Sequence, residues 1–445
     1  MEKYDVIVIG SGPGGYEAAA MAAADGLATL LIERDALGGT CLNRGCIPTK
    51  ALCRSAQVAG DMAVASRFGI VADTAAWHTD LGVMVRRKEQ ILAQLREAVD
   101  MVTSKCTKVF GEARLCAPHT VEVDGRQYTA PKIIIATGSE PATLPIPGAG
   151  LCVNSDFMLS LEELPESLAV IGGGVIGMEF ASIFSAFGTK VTVIEYCKEI
   201  LPPFDADIAK RLRSAMKARG VTFCTSSAVT AVSEAADGLR TVTFESKGKE
   251  KSIDTAMVLM AVGRRANTPA TSPGMELAMS RRGIEVDESY RTNLPGVYAI
   301  GDCNGICMLA HAASAQAAAV MGRTVNIDVM PAAVFTMPEC AMAGLTEEEC
   351  QKRGIGFRAV KAMFRGNGKA LAMDEADGML KLLLSTPDDG TPPHILGCHI
   401  CGPHAADLIA EAALAIAQRL PVTALTTTIH AHPTLSEVLL SALRR

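Results

Sequence analysis

The chain has 445 residues, too many for one ordinary core, and 49% of them are hydrophobic, so about three domains are expected. A net charge of −6 leaves no basic footprint for nucleic acid. No apolar run approaches the roughly 20 residues of a membrane span, and strand-like sequence begins at Asp5, so neither a membrane anchor nor a signal peptide is expected and the location expected is cytoplasmic.

YDVIVIG (4–10) is a near-continuous apolar run, the pattern of a strand buried on both faces of a parallel sheet. Gly10, Gly12 and Gly15 follow in GxGxxG spacing, then an Ala-rich helix expected over 16–25, then a strand over 28–33 ending in Glu33. Gly10 allows a tight turn, Gly12 a close approach of pyrophosphate to backbone, and Gly15 close helix–strand packing. The acid, 23 residues after the first glycine, is placed to accept hydrogen bonds from an adenosine ribose.

GGTCLNRGCIPTK (38–50) comes next and carries Cys41 and Cys46. Pro48 suits the first turn of a helix, which puts Cys46 at that helix's positive end and Lys50 one turn further on. Thiolates are stabilised in such places, so the pair is a candidate redox dithiol. The alternative is two buried cysteines packed as small hydrophobes. The chain has fourteen cysteines, with no Cys/His cluster of zinc-site spacing and no export signal. No metal is expected, and the thiols are expected mostly reduced.

A helix is expected over 80–104, a hairpin over 107–128, and a buried strand over 133–139. The Pro-rich segment 141–148 reads as a domain boundary. Then the first pattern returns. LAVIGGGVIGMEF (168–180) supplies Gly172, Gly174 and Gly177, and KVTVIE (190–195) ends in Glu195, again 23 residues after the first glycine. One βαβ unit is repeated, so two dinucleotides are expected. A carboxylate suits a free ribose 2′-hydroxyl and repels a 2′-phosphate, so NAD is expected over NADP; Lys198 is read as a solvated charge. Strands over 257–264 and 296–303 follow, the latter with Asp302 at its carboxyl end, where ligands of open α/β sheets gather. A helix is expected over 407–420. HAHPTLSE (430–437) places His432 before a proline and gives Thr434 and Glu437 capping-box spacing for the last helix. Read locally, Glu437 only caps and His432 is a loop histidine.

Two nucleotide motifs around a CxxxxC dithiol resemble the flavin-dependent disulfide oxidoreductases, and within them the dihydrolipoamide dehydrogenases. The likeness runs from DVIVIGSGPGG through GGTCLNRGCIPTK, IIIATGS, GGGVIGME, YAIGDC and MLAHAA to HAHPTLSE. It implies an α/β fold: two Rossmann-like dinucleotide-binding domains plus a C-terminal α+β dimerisation domain. The expected boundaries are 1–145 with 265–330 for FAD, 146–264 for NAD, and 331–445 for the dimer interface. By position, the FAD set is Gly10, Gly12, Gly15, Glu33, Ala113, Thr137, Gly138, Ser139, Asp302 and Met308, Leu309, Ala310 and His311. The NAD set is Gly172, Gly174, Val175, Ile176, Gly177, Glu195, Val229 and Gly263. Lys50 and Glu179 match a charge pair beside the reactive flavin nitrogen.

The resemblance also implies the chemistry. A protein-bound dihydrolipoyl group is oxidised to lipoyl disulfide, with electrons passing through Cys41 and Cys46 and FAD to NAD. His432 is the acid/base, oriented by Glu437, and acts on the dithiol of the other subunit of a homodimer. The partner expected is a lipoylated carrier, of the E2 acyltransferase or glycine-cleavage H-protein type. The chain departs from the family pattern at Gln316-Ala317 and, in the loop after Gly263, at Arg265-Ala266; neither touches the named chemistry.

Overall fold

The structure, a computed structural model, describes residues 1–71, 77–387 and 389–444. Its first sheet is parallel throughout. Val6–Ile9 lies at the centre, flanked by Thr29–Glu33 and Lys132–Ile135, with Thr107–Phe110 and Val297–Ala299 at the edges. All four residues of Val6–Ile9 and all five of Thr29–Glu33 are buried, as the unbroken apolar runs require. The helix between them spans Pro13–Ala24, starting three residues before the expected 16–25. Pro13 is its first residue, where a missing N–H leaves no donor unpaired.

The expected hairpin over 107–128 is not one element. Thr107–Phe110 joins the parallel sheet beside Thr29–Glu33 after the long helix Leu81–Val102 crosses over. The antiparallel pairing starts only at Ala113–Ala117 with Thr120–Val123 and Arg126–Thr129, in a separate sheet. A strand that follows a helix and leads into a hairpin has two possible partners, and local pattern does not choose between them.

The second parallel sheet is the same motif again: Thr222–Cys224, Lys190–Ile194, Ser167–Ile171 and Met257–Met260 in that order, with the helix Val175–Ala186 after the glycine turn. An antiparallel meander, Ser227–Glu234, Arg240–Ser246 and Lys249–Thr255, contributes Val232, Val242 and Phe244 to a core shared with Ile171, Ile194 and Met260. The two chain crossings between the units, Ser139–Pro141 and Arg264–Ala266, pair with each other.

The C-terminal sheet is antiparallel, in the order Ala332–Val334, Glu339–Gly344, Ile395–Gly402, Met379–Ser385, Phe357–Met363. The helix Ala405–Ala417 buries Ile409, Ala412 and Ala415 against it. The last helix is Glu437–Leu443, with Ser436 as its N-cap rather than Thr434. Half of the capping box survives: the Thr434 N–H donates to the Glu437 carboxylate at 2.9 Å, but the Thr434 hydroxyl donates to the Ala431 carbonyl instead.

A buried ionic junction ties the C-terminal sheet to the unit built on the second parallel sheet. The Lys381 ammonium, 2% exposed, donates to Asp205 at 2.9 and 3.0 Å and to Asp207 at 2.9 Å, and lies 2.6 Å from Glu347. Asp205 caps the helix Ala206–Ala218, so the bond locks that helix to the sheet. Removing one member of a buried ion cluster strands the others, a cost of about 3–5 kcal/mol. Lys381→Met is therefore expected to lower the unfolding midpoint in denaturant markedly; an unchanged midpoint would contradict the junction's role. Hydrogen bonds from Lys361 and Lys381 hold the Asp207 carboxyl down to about 2. Its contribution is complete above its unfolded value of about 3.9 and drains away as pH falls toward 2, so melting curves are expected to show the junction weakening in that window.

Candidate active site

Cys41 and Cys46 form a disulfide, and the other twelve cysteines are free. Cys41 sits in the short helix Gly39–Arg44, and Cys46 is the first residue of the helix Cys46–Val64. Gly45 breaks the helix between them and brings their Cα atoms to 4.7 Å. Both sulfur-bearing residues are only partly buried, whereas Pro48 and Thr49 behind them are buried. The first helix is braced by Asn43, whose amide donates to the Leu37 and Gly39 carbonyls at 3.0 and 2.9 Å and accepts from Arg96 at 2.7 Å.

Cys398 and Cys401 have the C-x-x-C spacing of a redox pair, a motif that sequence reasoning missed. They lie in the strand Ile395–Gly402, where residues three apart point to opposite faces, so the two thiols do not meet. Burial pushes the Cys398 thiol far above its usual value.

A single cavity of about 1850 Å³ is lined by Cys41, Cys46 and residues of both glycine turns. Gly10 and Gly12, Glu33, Ala113, Thr137 to Ser139, Asp302 and Met308 to His311 lie on it, as do Lys50 and Glu179. So do Gly172, Gly174, Val175, Ile176, Glu195, Val229 and Gly263. Gly15 and Gly177 do not. A Cβ on Gly15 would lie 1.9 Å from the Gly10 carbonyl oxygen, and one on Gly177 2.0 Å from that of Gly172, so both are needed for helix–strand contact. A Cβ on Gly12 or Gly174 would meet nothing within 4 Å, which leaves the helix N-termini bare toward the cavity.

The two acids at the strand ends are held alike. Glu33 accepts from the Ser11 N–H at 2.8 Å, the Ser11 hydroxyl at 2.6 Å and the Asp35 N–H at 2.9 Å. Glu195 accepts from the Gly173 and Cys197 N–H groups. Each carboxylate is thus tied to its glycine turn while its residue still faces the cavity. Lys198 is exposed and off the cavity wall.

Near the dithiol, the Lys50 ammonium meets both Glu179 oxygens, at 2.8 and 3.0 Å; the Glu179 side chain is 5% exposed. Asp302 accepts from the Ser139 hydroxyl at 2.5 Å. Arg264 escaped sequence reasoning. Its guanidinium donates to the Ser139 hydroxyl and carbonyl, both at 2.7 Å, and burial lowers its pKa from the ordinary value. Its only sequence signal is its place directly after Gly263.

His432 and Glu437 stand apart from all of this. They bond to each other, Nδ1 to the carboxylate at 3.0 and 3.2 Å, but neither lines the cavity, and the His432 side chain is 79% exposed. The Thr434 N–H, with His432, holds the Glu437 carboxyl below the usual carboxylate range. His430 pairs with Glu411 at 2.8 Å.

Comparison with known proteins bears on this geometry. Residues 4–317 match the sequence pattern described as pyridine nucleotide-disulphide oxidoreductase, and residues 330–443 match its dimerisation domain. The chain belongs to the pyridine nucleotide-disulphide oxidoreductase family. It is 39% identical to a dihydrolipoyl dehydrogenase of Chlamydia muridarum, over 98% of this chain and 95% of that one. It is 39% identical, with the same coverage, to one of Geobacillus stearothermophilus. A solved structure, the HOCl-induced flavoprotein disulfide reductase RclA of Escherichia coli, superposes with a TM-score of 0.86 at 27% identity, covering 99% of both chains. The expected fold class holds, and so do a flavoprotein disulfide oxidoreductase and the cofactors FAD and NAD. The bare helix N-termini and paired acids of the cavity suit two dinucleotides. Among the described residues no helix is long and apolar enough to cross a membrane, and no cluster of three or more His, Cys, Asp or Glu side chains is set to hold a metal ion.

Proposed function

We propose that the protein oxidises dihydrolipoyl groups carried on a partner protein to lipoyl disulfide, with NAD+ as the final acceptor. The observation that carries this reading is the Cys41–Cys46 disulfide on the wall of the cavity that both glycine turns share. The names of the full-length relatives support the substrate. In this reading 1–145 with 265–330 hold FAD, 146–264 hold NAD, and 331–445 join two copies into a homodimer. The Gly10 turn, Glu33, Ser139 and Asp302 would hold FAD; the Gly172 turn and Glu195 would hold NAD. The flavin, when bound, supplies the relay of an electron pair from the dithiol to the nicotinamide.

The chain's own groups do the rest. The bond to Glu437 places a proton on His432 Nδ1 and leaves Nε2 free to accept one. Because Glu437 is held ionised, that orientation persists through neutral pH. The exposed His432 of the partner subunit takes a proton from the first substrate thiol. The thiolate attacks the Cys41 sulfur, and the Cys41–Cys46 bond breaks to leave a thiolate on Cys46. There the helix N-terminus and Lys50 favour the negative charge. The second substrate sulfur then displaces Cys41 and closes the lipoyl disulfide. One proton ends on Cys41, the other on the imidazole, and the electron pair rests on Cys46.

A second reading is a reductase for some other disulfide, favoured by the likeness to the RclA reductase. Oxidation of free dihydrolipoamide by the purified protein with NAD+ decides between the two; no reaction would favour the reductase. Cys46→Ser is expected to abolish that turnover while FAD stays bound, and retained activity would remove the dithiol from the mechanism. His432→Gln is expected to slow it roughly 100-fold or more, the scale of general acid/base catalysis; an unchanged rate would exclude the imidazole. In the reverse assay NADH is expected to far outperform NADPH, and comparable kcat/KM values would contradict the role given to Glu195.

A further inference from the structure

Phe335 opens the stretch FTMPECAMAGLT (335–346), which resembles the start of the family's dimerisation domain, and three elements converge on it. Its ring lies 4.4 Å from the Lys50 ammonium. Its N–H donates to Glu179 at 3.0 Å, on the same oxygen that Lys50 meets at 2.8 Å. Its carbonyl accepts from the Cys53 thiol at 3.3 Å, on the dithiol helix one turn beyond Lys50. Two residues on, the Met337 N–H donates to Ser182 at 3.0 Å, on the same helix as Glu179. Phe335 itself follows directly on the first strand of the C-terminal sheet and lines the cavity.

Lys50 is a flexible cation with 31% of its side chain exposed. Glu179 alone would hold its charge, but not the side from which it is approached. An aromatic face under an ammonium is attractive and directional. We propose that Phe335 is a positioning residue for the dithiol: its ring keeps the Lys50 ammonium on the Cys46 side of the helix, while its peptide fixes Glu179 and Cys53. The C-terminal sheet thereby sets the charge beside the reactive sulfur. This rests on the reading that Cys41 and Cys46 are the reactive pair.

The test uses the holoenzyme, reduced with dithiothreitol and freed of excess reductant. Iodoacetamide labelling of Cys41 and Cys46 at pH 7 is timed by mass spectrometry, since only the thiolate reacts. Phe335→Leu is expected to slow labelling about threefold to tenfold, the scale of a cation–π contact, and Phe335→Tyr to match the parent. In a Lys50→Met background Phe335→Leu is expected to have no further effect. A parent rate in Phe335→Leu, or the same loss with Lys50 already removed, would overturn the proposal. Should Phe335→Leu not fold, phenylalanine analogues with increasing ring fluorination at position 335 keep the shape and drain the ring's negative face. Stepwise slowing supports the proposal and a flat series defeats it. If the parent's Cys41 and Cys46 label equally with and without reduction, the dithiol reading fails first.

Discussion

The structure turns on a helix that is interrupted once. In a continuous helix, residues five apart are separated by about 7.5 Å of rise and about 140° of rotation, and their side chains do not meet. Gly45 ends one helix and Cys46 begins the next, and the two Cα atoms come within ordinary disulfide range. The same break leaves Cys46 at a helix N-terminus, where a thiolate is favoured, and puts Lys50 one turn above it. Bond formation, charge stabilisation and access from the cavity all follow from that one discontinuity.

What anchors the break is the first glycine turn. A Cβ on Gly39 would lie 2.5 Å from the Cα of Gly12, so the helix that bears Cys41 starts against the backbone of that turn. The Gly38 N–H donates to the Ser11 carbonyl at 3.0 Å, and Ser11 in turn donates twice to Glu33. First glycine turn, Glu33 and dithiol are therefore one hydrogen-bonded unit. On the far side, Glu179 and Phe335 bring in the second parallel-sheet unit and the C-terminal sheet, so all three layers of the chain touch the redox helix.

Within one chain His432 stands apart from the dithiol. Its bond to Glu437 is formed and its outer nitrogen is free, but it is exposed and off the cavity that holds the disulfide. Residues 330–443 match a dimerisation domain, and in the proposed function a second copy brings its imidazole to these sulfurs.

Elements with a local cause could be read directly from the residues. An apolar strand, a glycine turn, a small-residue helix and an acid at fixed spacing specify a βαβ unit, because each residue answers to its immediate neighbours; this holds for Gly10 to Glu33 and for Gly172 to Glu195. Cys41 and Cys46 were legible as a candidate pair from local sequence and as a redox pair only through the family resemblance; the break at Gly45 joins them. Tertiary structure decided whatever depends on partners far along the chain. Thr107–Phe110 became a parallel edge strand rather than half a hairpin because Thr29–Glu33 offered it an open edge. Ser436, not Thr434, precedes the last helix, and the Thr434 hydroxyl is turned to the Ala431 carbonyl. Arg264 and Phe335 reach the site through Ser139, Glu179 and Lys50, residues 125 to 285 positions away, and no window of sequence carries a contact of that span.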